Sequence, residues 1–249
     1  MHRILTTGRY VLFFIMAFIV LAIAFTFPGC SALKPVNDSS AAEKKDLQFS
    51  DFTAVEVRDG FEVEIVQSDT YNVTIIADKD LFNNLEVRHQ DDVLKIYIDP
   101  PYGHIISHKT ARIAMPVLQQ IDLSMNSKGT ISGFKSSEDF IANLSMGSSL
   151  SGDIEVKRLS CDIVSGSNVK LTGAADEMML NGSGGSTAEL SEFELTSAKI
   201  TLTSGSKATV NVSESMEVDL SLGSNLTYIG DPAITKIDIS GGSTMKPVE

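Results

Sequence analysis

Apolar and polar residues alternate along most of the chain after residue 49, and in the second half the alternation repeats at a nearly constant interval. A Gly or Asn followed by Ser recurs seven times, with spacings of 21, 19, 19, 20, 18 and 19 residues. These anchor residues are Asn126, Gly147, Gly166, Gly185, Gly205, Gly223 and Gly242. An internal repeat of this regularity is the strongest available guide to the fold.

The positions around each anchor follow one pattern. The residue five before the anchor is always apolar, and the residue three before it is apolar in every repeat except at Gly182. Between these two columns lies a polar column: Asp122, Asn143, Asp162, Asn181, Thr201, Asp219 and Asp238. A period of two indicates strands with one buried face. Because equivalent positions recur about every 19 residues, stacked parallel coils are favoured over a meander of hairpins.

The predicted fold is therefore all-β: a right-handed parallel β-helix, or solenoid, of about seven coils of ~19 residues over residues 121–249. Equivalent side chains would stack about 4.8 Å apart. Each Gly-Ser pair would form a corner, where Gly supplies the positive φ that a sharp turn requires. Residues 49–120 also alternate, but less regularly, and we expect them to form an irregular β-rich segment that caps the first coil.

Three stretches of the chain resemble a known family. They are FTAVEVRDGFEVEIVQSDTYNVTIIAD, LEVRHQDDVLKIYID and ARIAMPVLQQIDLSMNSKGTISG. Together with the repeat, they resemble the putative auto-transporter adhesin, head GIN domain family over residues 49–245. The resemblance implies a β-solenoid in an extracytoplasmic protein, often of Bacteroidetes type. It brings no catalytic residues with it.

The first thirty residues have the features of an export or anchoring segment. Arg3 and Arg9 precede an apolar run from Val11 to Phe27 that is interrupted only by Thr26. A basic start followed by an apolar core is typical of a secretion signal, although about 20 apolar residues also suffice to span a bilayer as a helix.

Gly29-Cys30 resembles the end of a bacterial lipobox, in which Cys30 would carry the lipid. Phe27 and Pro28 depart from the residues usual there. Three outcomes stay open: lipidation at Cys30, an uncleaved anchor, or ordinary cleavage, for instance after Ala32. Each places residues 31 onward outside the cytoplasm, tied to a membrane or released from it, and we expect a membrane-anchored protein of the bacterial cell envelope. Residues 31–48 are polar without an apolar period, and we expect a flexible tether there.

Charge and composition exclude several functions. The net charge of −12 gives no basic surface for nucleic acid. Cys161 occupies an apolar repeat position, which favours a buried thiol. His104 and His108 lie in a Pro-Gly context that argues against a helical metal site. We expect no cofactor, no metal and no enzymatic activity, since no coil has room for a long loop that would build a catalytic groove.

The polar column is the most distinctive candidate surface. Its oxygen atoms could bind Ca²⁺, but a solvated face on which Asn and Thr dilute like-charge repulsion is the simpler interpretation. The first functional hypothesis is a membrane-tethered adhesin or glycan-binding module. The alternative is a structural, assembly or regulatory envelope protein that contacts other proteins at an open solenoid edge, since the last strand has no obvious cap.

Overall fold

The structure is a computed structural model that describes residues 42–100 and 108–248. Cys30 and His104 lie outside the described residues. The strands are β1 (Ala42–Leu47), β2 (Ala54–Val57), β3 (Glu62–Gln67), β4 (Asn72–Asp78), β5 (Leu85–Gln90), β6 (Val93–Ile98), β7 (Lys109–Met115), β8 (Gln120–Leu123), β9 (Lys128–Lys135), β10 (Asp139–Leu144), β11 (Ser149–Ile163), β12 (Asn168–Gly182), β13 (Thr187–Leu202), β14 (Lys207–Leu220), β15 (Asn225–Ile229), β16 (Ala233–Ile239) and β17 (Thr244–Pro247). A short 3-10 helix spans Lys79–Asn83.

The repeats form the parallel β-solenoid that the sequence predicts, with about seven turns. One face, sheet A, contains β8, β10, the C-terminal halves of β11 to β14, and β16. The other face, sheet B, contains β9, the N-terminal halves of β11 to β14, β15 and β17. The long strands β11 to β14 therefore bend from sheet B into sheet A.

Parallel stacking in register builds the core. Ala142, Cys161, Leu180 and Ile200 are register partners in successive coils, and all are buried. Burial raises the pKa of the Cys161 thiol to about 12, and the neighbouring Asp162 carboxylate contributes to the shift. The alternating pattern thus places the apolar face of each sheet in a single continuous core.

Each anchor residue is the second residue of a two-residue turn between sheet A and sheet B. Both turn residues have positive φ, as in Met146 (φ 53°) with Gly147 (φ 75°) and Leu222 (φ 53°) with Gly223 (φ 76°). Two consecutive positive φ values are characteristic of a type I′ turn, which suits Gly or Asn at the second position. Only two of the seven turns have Gly at the first position as well, namely at Gly184 and Gly241.

The Ser after each anchor points into the core. Six of these serines are fully buried: Ser127, Ser148, Ser167, Ser186, Ser206 and Ser224. Ser167 Oγ donates to the carbonyl of Val164 and Ser206 Oγ to that of Thr203, each at 2.8 Å. Ser224 makes the same bond to Ser221, whereas Ser127 Oγ and Ser148 Oγ have no hydrogen-bond partner among the described residues. The small size of serine therefore suits all six positions, and its hydroxyl is satisfied within the turn at three of them.

The N-terminal segment adds turns to the solenoid, in a different spatial order from the chain order. β2 lies parallel between β8 and β6, and β3 lies parallel between β9 and β7. The turn from β2 to β3 uses Asp59 and Gly60, both with positive φ, like the turns of the repeat. The boundary predicted between residues 120 and 121 is therefore not a structural break, because β2 and β3 stack directly on the repeats.

Antiparallel strands extend both sheets at the N-terminal end of the stack. β4 pairs with β7, β1 pairs with β4, and β5 pairs with β6. The flexible tether predicted for residues 31–48 is wrong for Ala42–Leu47, because this polar stretch is β1 and forms the edge of sheet B beside β4. Within the described parts of the chain, no helix is long and apolar enough to cross a membrane.

A second set of glycines lies away from the Gly-Ser corners, where sheet B bends toward sheet A. Gly152, Gly173 and Gly230 have φ values of 136°, 123° and 99°. A Cβ at Gly173 would overlap the carbonyl oxygen of Ile154 in the preceding coil. Gly166, at a corner, also has positive φ (73°), but a Cβ there would meet nothing within 4 Å.

We predict that Gly173→Ala lowers the free energy of unfolding by about 3 kcal/mol, because the strained φ and the backbone overlap add together. The matched variant Gly166→Ala should cost about 1 kcal/mol, since only the positive φ is unfavourable. Urea denaturation of both variants measures the difference. Equal losses would contradict this account of coil packing.

Candidate functional site

The structure brings the whole predicted polar column into one row on the outer side of sheet A. Consecutive members are register partners from Asp122 to Asp238. The row continues beyond the repeat, because Glu56 pairs with Asp122, and Lys95 pairs with Glu56. We call this row the polar ladder. Its last two members, Glu56 and Lys95, were not predicted, since neither lies within the period of the repeat.

Two amides of the polar ladder donate hydrogen bonds to the carboxylates beside them. Asn143 Nδ2 donates to Asp122 Oδ1 at 2.7 Å, and Asn181 Nδ2 donates to Asp162 Oδ1 at 2.8 Å. At the far end, Lys95 Nζ lies 3.5 Å from Glu56 Oε2. The amides therefore turn donors, not oxygen ligands, toward the carboxylates. No group of three or more His, Cys, Asp and Glu side chains is placed to hold a metal ion within residues 42–100 and 108–248.

The arginine in the repeats is engaged by two acids on the same face. Arg158 Nη1 lies 2.8 Å from Asp139 Oδ2, and Arg158 Nε lies 3.0 Å from Glu177 Oε2. The pKa of Arg158 is raised, first by the hydrogen bond to Glu177 and then by the charge of Asp139. This guanidinium therefore links three coils of sheet A.

A groove that the sequence did not predict follows the bend between sheets B and A. Its volume is about 810 Å³. We call it the corner groove; its lining residues are Lys135, Ser136, Ser137, Glu155, Val156, Ala174, Ala175, Asp176, Glu194, Leu195, Thr196, Asn211 and Ser213. They come from β9 and β11 to β14 and from the bends that follow them, so the groove crosses five consecutive coils.

Small residues in one coil create the depression. Ala174 is in register between Glu155 and Glu194, so a gap separates two carboxylates. Val156, Ala175 and Leu195 form the next register row, and all three are buried. The corner groove thus has an apolar floor beneath polar walls. The sequence signal was the pair Ala174-Ala175, where neighbouring coils have Glu-Val and Glu-Leu.

The walls of the corner groove are acidic and rich in hydroxyl groups. Lys135 Nζ lies 2.7 Å from Glu155 Oε1, and this hydrogen bond is the main reason that the pKa of Lys135 is raised. Glu194 and Asp176 line the same groove without a cation within 4 Å in the described chain. Such a surface offers acceptors and hydroxyl donors to a polar ligand, and it repels anionic ones.

Comparisons with known proteins bear on the fold and the family. A family model described as the putative auto-transporter adhesin, head GIN domain, matches residues 51–232. A crystal structure of a putative adhesin from Bacteroides fragilis superposes with a TM-score of 0.75 at 18% identity, over 83% of this chain and 97% of that chain.

Two further solved structures share the fold. A putative lipid binding protein from Parabacteroides distasonis has a TM-score of 0.67 at 17% identity, over 84% of this chain and 97% of that one. A putative adhesin from Parabacteroides merdae has a TM-score of 0.63 at 15% identity, over 84% and 96%. A search of curated proteins finds no match.

We predict that Asn143→Asp destabilises the protein by about 1 kcal/mol at low ionic strength, because three carboxylates then stand in adjacent register. The cost should shrink in 1 M salt, where the Debye length is about 3 Å. Urea denaturation at two ionic strengths measures both effects. Ser160→Asp is the matched control, since its register partners Ile141 and Met179 are uncharged. A salt-independent cost at residue 143 would contradict the prediction.

Proposed function

The chain belongs to the putative auto-transporter adhesin, head GIN domain family, and from this premise we propose that it is a non-catalytic, membrane-tethered binding module of the cell envelope that holds an extended glycan in the corner groove. The observation that carries the proposal is the groove itself. It crosses five coils, which corresponds to a run of about 19 Å, so an extended polymer can contact several equivalent positions in turn.

The chemistry of the lining fits sugars. Ser136, Thr196 and Asn211 offer hydroxyl and amide groups. Ser213 Oγ donates to the Leu195 carbonyl and offers an acceptor. Ala175 and Leu195 form an apolar floor for the face of a sugar ring. Binding to each coil would be weak, and affinity would grow with the length of the polymer and with the number of tethered copies.

The charges narrow the ligand class. Glu155, Asp176 and Glu194 line the groove together with Lys135, whose ammonium group already binds Glu155. An acidic polysaccharide would meet uncompensated carboxylates, so we propose a neutral or amine-bearing glycan. The structural neighbour called a lipid binding protein raises an acyl chain as a second ligand. The polar walls of this groove argue against that ligand, because acyl chains require an apolar lining.

We predict that Ala174→Tyr weakens glycan binding at least about tenfold, since the new ring would fill the gap between Glu155 and Glu194. Binding of the full chain to a panel of neutral, amino-sugar and acidic polysaccharides measures the effect. Lys170→Tyr is the matched control, because Lys170 is exposed on the same strand but does not line the groove. Binding that is unchanged in Ala174→Tyr would exclude the corner groove as the site.

The tether gives a separate prediction. If Cys30 carries the lipid, Cys30→Ala should release the protein from the membrane or trap it unprocessed, because the lipid then has no attachment site. Protease treatment of intact cells, read with an antibody, measures both anchoring and exposure. Wild-type protein that is cleaved from outside supports a surface module. Wild-type protein that is protected would contradict surface adhesion and favour a ligand inside the envelope.

A further inference from the structure

The C-terminal end of the solenoid consists of two strands that each have one open edge. Within the described chain, β16 pairs with β14 alone, and β17 pairs with β15 alone. The backbone donors and acceptors along the outer edge of β16 therefore have no strand partner. Such an edge is a template for pairing with another strand.

The last coil also exposes its core-facing side chains. Ile237 is 55% exposed and Ile239 is 39% exposed, although their register partners Val218 and Leu220 in the preceding coil are 2% and 0% exposed. Isoleucine at these positions suits a core that continues past β16. The exposed apolar row thus indicates that another layer covers this end.

The opposite end of the solenoid differs in the chemistry of its edges. Its edge strands are β1 on sheet B and β5 on sheet A, each paired on one side only in the described part of the chain, and they have the charged sequences AEKKDL and LEVRHQ. Charged side chains on an edge strand oppose further pairing. Head-to-tail stacking of copies is therefore disfavoured, whereas tail-to-tail contact between two C-terminal ends is open.

The two open strands are not equivalent. β17 has four residues and ends with Pro247, which has no N–H to donate to a ladder. β16 has seven residues, AITKIDI, and contains no proline. Pairing at this end therefore depends mainly on β16.

The charges of β16 specify one arrangement. Lys236 and Asp238 both lie on the outer face, in register with Glu217 and Asp219. An antiparallel pair of β16 strands centred on Ile237 would set Lys236 of each copy directly opposite Asp238 of the other. It would also set Ile237 against Ile237 in a shared core. Opposite charges at directly opposed positions stabilise antiparallel pairs.

We propose that a second copy of this chain covers the C-terminal end, so that two solenoids join tail to tail through antiparallel β16 strands centred on Ile237. A two-fold axis through this point extends sheet A across the contact, and it makes the interface self-complementary. The contact also reduces the repulsion between the carboxylates of Asp219 and Asp238, which are register partners and form no ion pair within the described chain. Lys236 of the second copy would supply the missing cation.

Charge reversal tests the pairing. In Asp238→Lys, lysines face each other at both symmetric positions, and the dimer dissociation constant should rise at least about tenfold. The fold should be retained, because a lysine at this position gains Asp219 as a neighbour in its own chain. The double variant Lys236→Asp/Asp238→Lys restores opposite charges across the contact, so it should recover the wild-type constant within about threefold. Analytical ultracentrifugation of the full chain in detergent measures the constants.

Lys170→Asp controls for net charge, because it makes a charge change of the same size in the middle of the solenoid and should leave the constant unchanged. A monomeric wild-type chain at about 100 µM would overturn the proposal, whether residues 1–41 or a different protein covers this end. A double variant that associates as weakly as Asp238→Lys would overturn it too, since recovery requires that residues 236 and 238 face each other across a two-fold axis.

Discussion

Parallel stacking in register is the constraint on which the rest of the structure depends. Every side chain of one coil lies one strand spacing, about 4.8 Å, from its equivalents in the coils before and after it. A residue that is favourable once must therefore be favourable beside a copy of itself. Apolar residues meet this condition in the core, and small serines meet it at the turns, where Ser206 Oγ binds its own turn carbonyl. Carboxylates meet it poorly, and between Asp122 and Asn181 the polar ladder alternates acids with the amides of Asn143 and Asn181. Asp219 and Asp238 near its C-terminal end are adjacent acids.

The same constraint creates the surfaces that can bind a ligand or a second copy of the chain. Replacing one large side chain with a small one leaves a gap that its neighbours in the stack cannot fill, and Ala174 between Glu155 and Glu194 opens the corner groove in this way. A stack of parallel coils also has an unpaired strand edge at each end. At one end the edge strands β1 and β5 are rich in charged residues, whereas Ile237 and Ile239 stay exposed at the other end. Ligand binding and association between copies would therefore use different parts of the molecule.

Most of the solenoid could be predicted from the sequence, because each repeat gives the same indication of where strands and turns lie. Seven copies of one pattern locate the strands, the turns and the polar row, even where one copy departs from the pattern, as at Gly182. Features outside the period were missed. The Asp59-Gly60 turn is a single unrepeated instance of a type I′ signal. The antiparallel role of Ala42–Leu47 depends on pairing with β4, which no local pattern in this charged stretch reveals. The corner groove was missed because a repeat is recognised from the residues that its coils share. The groove arises where one coil differs from its neighbours, at Ala174 and Ala175.

The order of the coils is the least expected result and the most direct test of the stacking. β6 lies outside β2, so Lys95 is one coil further from Asp219 than Glu56 is, although it is nearer in the chain. Spin labels at Glu56 and Asp219, and in a second variant at Lys95 and Asp219, can be placed in a Cys30→Ser background and measured by pulsed electron resonance. The stacking predicts about 29 Å for six strand spacings in the first pair and about 34 Å for seven in the second. A shorter distance for the Lys95 pair would show that the coils follow the chain order, and would contradict the account.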